Sequence, residues 1–320
     1  MALVAPASPA HAQGAADRES RPKTLDELQR QSGHIWDISL QGRLAKVRPL
    51  KSRALRRAID AYHAGTADLR HDIDVSWGEF LSGLDEPFIA IALDRAADAD
   101  LPAGRKVTLF GEIADAAGVV VASFEADDEV EISVSRALVD VSLPFPKNAA
   151  RAVLGLAVGG TPRWIVEQPL PVAAIDAASF GLSRPILSLD VHPLAAPQKP
   201  DDPFTFGGLR VTPRGDRTFA KGEAPWLFAV ARVPGSTLET VPKLAATLVL
   251  TGPEAGKTRR YPVGGLTPTP LRGFAAQWGV GVPLPVAELP PGEYQATLEV
   301  SERAAGAQAT ASTSFQVIAR

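Results

Sequence analysis

The residues that could do chemistry cluster most densely between His63 and Asp74, in the stretch HAGTADLRHDID. Its candidate ligands are its two histidines and two of its three aspartates: His63, His71, Asp72 and Asp74. Imidazole and carboxylate together are the ligands of many zinc and non-haem iron sites. The spacing does not match a helical motif of the HExxH kind, in which both histidines share one face. We therefore predict a solvated segment, with a metal site as the alternative.

The sequence contains no motif for a cysteine nucleophile, a serine nucleophile or a pair of catalytic carboxylates. The chain has no cysteine, which excludes a thiol nucleophile, and no G-x-S-x-G elbow for a serine hydrolase. The acidic runs Asp127-Asp128-Glu129 and Asp201-Asp202 could serve a glycosidase or bind calcium, but they lack aromatic neighbours and EF-hand spacing. They are typical of turns. The sequence therefore predicts no catalytic residue, no metal and no cofactor.

A glycine-rich stretch, Gly252–Thr258 (GPEAGKT), is similar to a phosphate-binding loop. The Walker pattern needs four residues between its glycines and a helix after them, whose amides hold the phosphates. Here three residues separate the glycines, and the residues that follow, RRYPV, are typical of a strand. We interpret this stretch as a hairpin turn.

Positive charge concentrates in Arg43–Arg57 (RLAKVRPLKSRALRR), which has seven cationic and no acidic residues. Such a run could bind nucleic acid or an anionic membrane surface. The whole chain carries a net charge of −3, and the run has no aromatic residue to stack on bases. We predict a solvated helix face and no nucleic-acid partner, and keep an anionic-surface binder as a weaker alternative.

The N-terminus contains a possible export signal. Ala10-His11-Ala12 before Gln13 has the small-x-small pattern that signal peptidase cleaves. A complete signal also needs a basic start and an apolar core of roughly 7–15 residues, and neither is present. Two interpretations stay open: the tail of a longer signal peptide, or an Ala/Pro-rich tail. The first predicts a periplasmic or secreted protein.

The elements that would position these residues follow from composition. The chain has 320 residues, 45% hydrophobic and 22% charged, with 28 prolines and 27 glycines. This length favours two domains with many turns. No stretch beyond the N-terminal tail is long and apolar enough to predict a transmembrane segment.

Short helices are predicted near the N-terminus, from Thr24 to Gly33 and from Lys51 to His63. From Ile73 onward, runs with strand-like alternation are separated by Gly, Pro, Asp and Asn. The first set covers residues 88–93, 107–113, 119–124, 130–134, 138–143, 152–158 and 164–167. The second set covers residues 209–212, 226–233, 244–250, 259–263, 277–282, 294–300 and 309–317. This pattern predicts two tandem β-sandwiches of the immunoglobulin-like or fibronectin III-like type.

The motif LPPGEY at Leu289–Tyr294 indicates a tyrosine corner, in which the phenol hydrogen-bonds the backbone of the preceding turn. Pro291 and Gly292 form the turn, and Tyr294 begins an alternating strand. We expect a structural role for these three residues.

The predicted organisation has five parts. They are a signal remnant or tail (1–20), a basic and partly helical segment (21–72), a first sandwich (73–178), a Pro-rich linker (179–205) and a second sandwich (206–320). The linker contains HPLAAPQKPDDP, with four prolines in twelve residues.

The stretch DDPFTFGGLRVTPRGDRTF (Asp201–Phe219), followed by LPPGEYQATLEV and FQV, resembles the C-terminal β-sandwich modules of uncharacterised secreted bacterial proteins of the von Willebrand A-related and GWxTD-domain type. Neither the D-x-S-x-S metal-adhesion motif nor a GWxTD sequence occurs. The resemblance implies an exported module without catalytic residues to carry over.

The combined pattern predicts a non-catalytic, extracytoplasmic binding or scaffold protein with a protein partner at the cell envelope. Two enzyme-like alternatives stay open. One is a metal-dependent hydrolase that uses His63, His71 and Asp72. The other is a carbohydrate-active protein that uses exposed tryptophans among Trp77, Trp164, Trp226 and Trp278.

Overall fold

Strands make up most of the structure, a computed structural model. It describes residues 47–170, 172, 176–193, 203–206, 209–253, 257–263, 268–271, 274, 276–304 and 306–319. The helix predicted from Thr24 to Gly33 and the tail 1–20 lie outside these residues. All described residues belong to one compact unit. None of the described helices is long and apolar enough to cross a membrane.

The first half of the described chain forms one helix and two sheets. The elements are β1 (Val47–Pro49), α1 (Arg53–His63), β2 (Asp74–Leu81), β3 (Pro87–Ala96), β4 (Lys106–Ala114), β5 (Val120–Glu129), β6 (Glu131–Ser133), β7 (Arg136–Pro144), β8 (Arg151–Val158) and β9 (Thr161–Pro169). Sheet A has the order β1-β5-β4-β8-β9, and sheet B has the order β2-β3-β7-β6. All pairs in both sheets are antiparallel.

The second half forms two further sheets. The elements are β10 (Gly181–Leu182), β11 (Ile186–Pro193), β12 (Thr205–Phe206), β13 (Leu209–Pro213), β14 (Thr218–Ala220), β15 (Trp226–Arg232), β16 (Leu244–Thr251), β17 (Thr258–Val263), β18 (Thr269–Pro270), β19 (Gln277–Pro283), β20 (Gly292–Glu302) and β21 (Ala307–Ile318). Sheet C has the order β12-β13-β11-β15-β19-β18, with β10 beside β15. Sheet D has the order β14-β21-β20-β16-β17, and its β14–β21 pair is parallel.

The four sheets pack in the order A, B, C, D. One apolar core lies between sheets A and B, and a second lies between sheets C and D. A third apolar cluster joins sheet B to sheet C. Strand β3 takes part in two of them, because Ile89 and Ile91 face sheet A while Phe88 and Ala90 face sheet C. Successive side chains of a strand point to opposite faces, so β3 is buried on both sides.

The junction of sheets B and C, called the junction below, is rich in aromatic residues. It contains six phenylalanines: Phe80, Phe88, Phe204, Phe206, Phe228 and Phe274. The ring centroid of Phe206 lies 4.8 Å from that of Phe80 and 5.5 Å from that of Phe228. Aromatic pairs at these separations contribute about 0.5–1.5 kcal/mol each beyond their buried area. The two sandwiches are therefore fixed to each other.

Polar contacts flank this aromatic cluster. The Arg232 guanidinium lies 3.0 Å from the Asp85 carboxylate, and Gln277 Nε2 donates to the Ser82 carbonyl at 3.1 Å. Both contacts connect the β2–β3 turn to sheet C. Because Gln277 is buried, its hydrogen bond satisfies a polar group that would otherwise cost free energy.

Helix α1 covers the outer face of sheet A. Its buried residues Leu55 and Ile59 are four positions apart, one helical turn, and they pack with Phe110 of β4. The Ser52 side chain accepts the Leu55 amide as N-cap, and Gly65 follows the helix end with a φ of 67°. The sequence predicts this helix from Lys51 to His63.

The turn before β20 is held by Tyr294. Its hydroxyl donates to the Pro290 carbonyl at 2.8 Å, and its ring stacks on Phe315 at 5.4 Å between centroids. Gly292, just after Pro291, has a φ of 151°, and a Cβ there would lie 2.6 Å from the Pro253 ring. Only glycine fits both conditions.

Two eight-residue strands lie where the sequence predicts none. β2 (Asp74–Leu81) is buried at seven of its eight positions, and its polar Ser76 and Glu79 are among the buried residues. β11 (Ile186–Pro193) falls within the stretch 179–205 that the sequence predicts as a linker. At the other end of that stretch, Phe204 and Thr205 are fully buried. Residues 194–202 lie outside the described chain.

Candidate functional site

A surface groove of about 950 Å³ runs from the end of β5 across β6 and β7 to β13. It is therefore lined by both sandwiches. Its lining includes five carboxylates and two cations: Asp127, Asp128, Glu129, Glu131, Asp140, Lys106 and Arg210. Volumes of roughly 300–1,000 Å³ are usual for ligand sites. The excess of carboxylates favours cationic groups.

Arg210 holds the groove together across the junction. Its Nη2 lies 2.6 Å from Glu131 Oε2 and 3.1 Å from Asp140 Oδ2. Arg210 and Asp140 are nearly buried, while Glu131 is about half exposed. Such charge-assisted bonds fix the relative positions of side chains more than they add stability. Arg210 therefore links β13 to β6 and β7 at the floor of the groove.

The rim at the end of β5 is fixed by a neighbouring arginine. Arg48 Nη1 lies 2.7 Å from Asp127 Oδ2, and Thr108 Oγ1 donates to Asp127 at 2.7 Å. These two donors lower the pKa of Asp127. The carboxylate is therefore ionised at neutral pH and serves as an acceptor, not as a proton donor.

A second charged cluster lies inside the junction. Arg136 bonds Asp94 of β3, and it also contacts Asp74 at 2.5 Å and Asp216 at 2.9 Å. The Gly215 amide donates to Asp94 Oδ1 at 2.8 Å. Burial raises the pKa of Asp94 to about 7, against the opposite effect of Arg136. The space beside it is about 10 Å³, so the cluster admits nothing larger than water.

The four residues singled out as metal candidates have separate partners. His63 Nε2 lies 2.5 Å from Glu112 Oε1, and His71 Nδ1 lies 2.8 Å from the Ile165 carbonyl. Asp74 is paired with Arg136, as described above. Within the described ranges, no group of three or more His, Asp and Glu side chains could hold a metal ion.

Asp72, the fourth candidate, is bound by arginines. Arg70 and Arg95 reach it at 2.8 and 2.7 Å and lower its pKa to about 2. It also accepts the indole N–H of Trp164 at 3.1 Å. Both guanidinium groups lie over the Trp164 ring, 5.1 and 5.3 Å from its centroid. Asp72 is therefore bound by Arg70, Arg95 and Trp164, and the indole also contacts both arginines.

The tryptophans are mainly packing residues. Trp77, Trp164 and Trp278 are at most 3% exposed, and the Trp278 indole donates to Ser236 at 2.7 Å. Trp226 is 38% exposed. Together the four do not form an open aromatic platform of the kind that binds sugars.

The basic stretch is divided between paired and solvated residues. Arg48 is paired with Glu125 and Asp127, and Arg56 donates to the Leu50 carbonyl at 2.7 Å. Lys51, Arg53 and Arg57 are exposed. Residues 43–46 lie outside the described chain.

The glycine-rich stretch from Gly252 joins two antiparallel strands, with Thr251 of β16 opposite Thr258 of β17. Residues 254–256 lie outside the described chain. A helix N-terminus, which a phosphate-binding loop requires, does not follow it.

Sequence reasoning singled out parts of both sites but did not assemble them: the acidic run Asp127-Asp128-Glu129 lines the groove, and Asp74 belongs to the Asp94 cluster. A further signal for the cluster is Asp94-Arg95, a charged pair directly after the apolar run FIAIAL. Comparison with known proteins gave no match, either to a family model or to a curated protein sequence.

Proposed function

We propose that this protein is a non-catalytic, extracytoplasmic binding scaffold made of two immunoglobulin-like or fibronectin III-like sandwiches. The bond from Tyr294 to Pro290 supports this fold type, because such sandwiches use a tyrosine corner. The Ala10-His11-Ala12 motif supports export. The partner is a protein of the cell envelope.

The close packing of the two sandwiches at the junction is the main support for a scaffold function. Tandem domains with a small polar interface move relative to each other. Here Phe206 packs against phenylalanines of both sandwiches, and Arg210 connects β13 to β6 and β7. A rigid pair presents surfaces at a constant separation, which lowers the entropy lost when both sandwiches contact one partner.

The experiment tests whether partner binding depends on the junction. Gly215→Val would place a side chain against Asp94, because even a Cβ there lies 2.3 Å from its Oδ1. Gly181→Val is the matched control, since nothing lies within 4 Å of a Cβ at that position. Tagged full chains would be cross-linked in intact cells and their partners identified by mass spectrometry.

We expect one specific envelope protein with the wild type and the Gly181 variant, and much less of it with the Gly215 variant. A second pair, Glu129→Lys in the groove and Glu239→Lys on an exposed loop, asks whether the groove makes the contact. Absence of a specific partner for the wild type would refute the proposal. Equal capture by the Gly215 variant, with a demonstrably altered junction, would refute the role of rigidity.

A second candidate function is binding to an anionic surface through helix α1. The exposure of Lys51, Arg53 and Arg57 favours it. Vesicles with anionic lipid should then bind the full chain with an affinity that falls steeply with salt. Binding unaffected by Arg53→Gln combined with Arg57→Gln would exclude it.

A further inference from the structure

The outer edge of β5 is only partly covered. β5 pairs with β4 along nearly its whole length, from Val120 to Glu129. On the other side, β1 pairs only with Phe124, Glu125 and Ala126. Residues 120–123 therefore have no strand on their outer side within the described part of the chain. Unpaired N–H and C=O groups of an edge strand are a template for another strand.

This open stretch is also apolar. Val119, Val120 and Val121 are 60%, 48% and 40% exposed. From Ala116 to Phe124 the sequence has no charged residue and no proline. Consecutive exposed apolar residues on a surface strand are unfavourable in water unless another surface covers them.

Two other edges in the described sheets have the usual protection. Strand β17 of sheet D carries Arg259, Arg260 and Pro262. Strand β9 of sheet A has Pro162 as its second residue, and its backbone at Arg163 and Ile165 is hydrogen-bonded to Arg70. Charges, prolines and covering segments are the devices that prevent edge-to-edge pairing. Within the described residues, the segment 120–123 has none of them. The edge of β21 is also open beyond its pairing with β14 at residues 316–318, but its exposed side chains there, such as Gln308 and Thr310, are polar.

We propose that two copies of the chain pair antiparallel through residues 120–123, so that sheet A continues across a two-fold axis. β1 already shows that this edge of β5 accepts an antiparallel strand. An isologous contact needs a surface that complements itself. An uncharged segment meets this condition, because antiparallel pairing with its own copy brings no like charges together.

The contact is short, so the dimer is weak. Four residues a side bury less than the roughly 1,200 Å² of a stable specific interface. The protein is therefore a monomer when dilute and a dimer at high concentration. Dimer formation would give one assembly two copies of every other surface, and thus increase its avidity for a clustered partner.

The test is sedimentation equilibrium of the full chain from micromolar to near-millimolar concentration. The mass should rise from 33.7 kDa towards twice that value. Val121→Lys should remain at the monomer mass, because each copy would bring a lysine into an apolar contact only four residues long, where the two like charges lie close together. Val241→Lys, at a valine 53% exposed in the β15–β16 loop, is the matched control and should dimerise like the wild type. Equal melting temperatures would show that both variants are folded.

Hydrogen exchange at those amides of residues 120–123 that point away from β4 identifies the occupant of the edge. Protection that increases with protein concentration supports the dimer. Protection at every concentration would mean that the same chain covers the edge, which overturns the proposal. A constant monomer mass, or equal dimerisation of the two lysine variants, would also overturn it.

Discussion

Asp94 is the residue whose charge state has the largest calculable effect on stability. It is 1% exposed, accepts the Gly215 amide, and shares Arg136 with Asp74 and Asp216. Three carboxylates surround the Arg136 guanidinium, and Arg214 also bonds Asp216 at 2.8 Å. Asp94→Asn preserves the shape and an acceptor for Gly215 while removing the titration.

The magnitude follows from the pKa. Burial raises the pKa of Asp94 from 3.8 to about 7. The folded state therefore holds a proton that the unfolded state releases between these values. This contribution to stability is complete below pH 3.8 and is lost as the pH rises through about 7. Three pKa units correspond to about 4 kcal/mol at 1.36 kcal/mol per unit.

The assay is urea unfolding of wild type and Asp94→Asn at several pH values from 5 to 8. The difference between the two proteins removes contributions from titrating groups far from Asp94. We expect the wild type to lose up to about 1.4 kcal/mol per pH unit relative to the variant between pH 5 and 7. A constant difference, or one of opposite sign, would show that Arg136 outweighs burial and would refute the reasoning.

Three further substitutions test the fold by urea unfolding. Tyr294→Phe removes the hydrogen bond to the turn and should cost about 1 kcal/mol; no change would mean that water replaces the bond without loss. Phe206→Ala leaves a cavity in the junction and should cost about 3–5 kcal/mol, and a cost well below this would mean that the junction collapses around it. Gly215→Ala places a Cβ against a buried carboxylate and should cost about 1–3 kcal/mol, unlike Gly181→Ala at an open position.

Alternation of apolar and polar residues predicts a strand well where one face of the strand is exposed to solvent. In β20, Tyr294, Ala296 and Leu298 are buried while Gln295 is exposed, as the pattern predicts. β2 has only a short alternation, Asp74-Val75-Ser76-Trp77, and its polar Ser76 and Glu79 are buried although such residues are typical of a solvated face. The sequence does not predict the junction either. An apolar run such as that in β3 does not say which sheet covers which face.

The candidate site depends on register, which local sequence does not encode. Glu131 and Arg210 are 79 positions apart and meet only because sheets B and C pack together. For the metal candidates, closeness in sequence suggested a contact that does not form. His71 and Asp72 are adjacent in sequence, but His71 contacts the Ile165 carbonyl while Asp72 contacts the Trp164 indole. In an extended chain neighbouring side chains diverge, so closeness in sequence did not produce a shared site.

The double burial of β3 limits how this protein can be divided. A fragment that kept only one sandwich would expose Phe88 and Ala90, or the facing Phe228 and Val230, to water. Such a surface promotes aggregation. Recombination that copied half of the gene would therefore yield an insoluble product unless these positions changed to polar residues at the same time. Neither sandwich can be expressed without the other unless this apolar surface is changed.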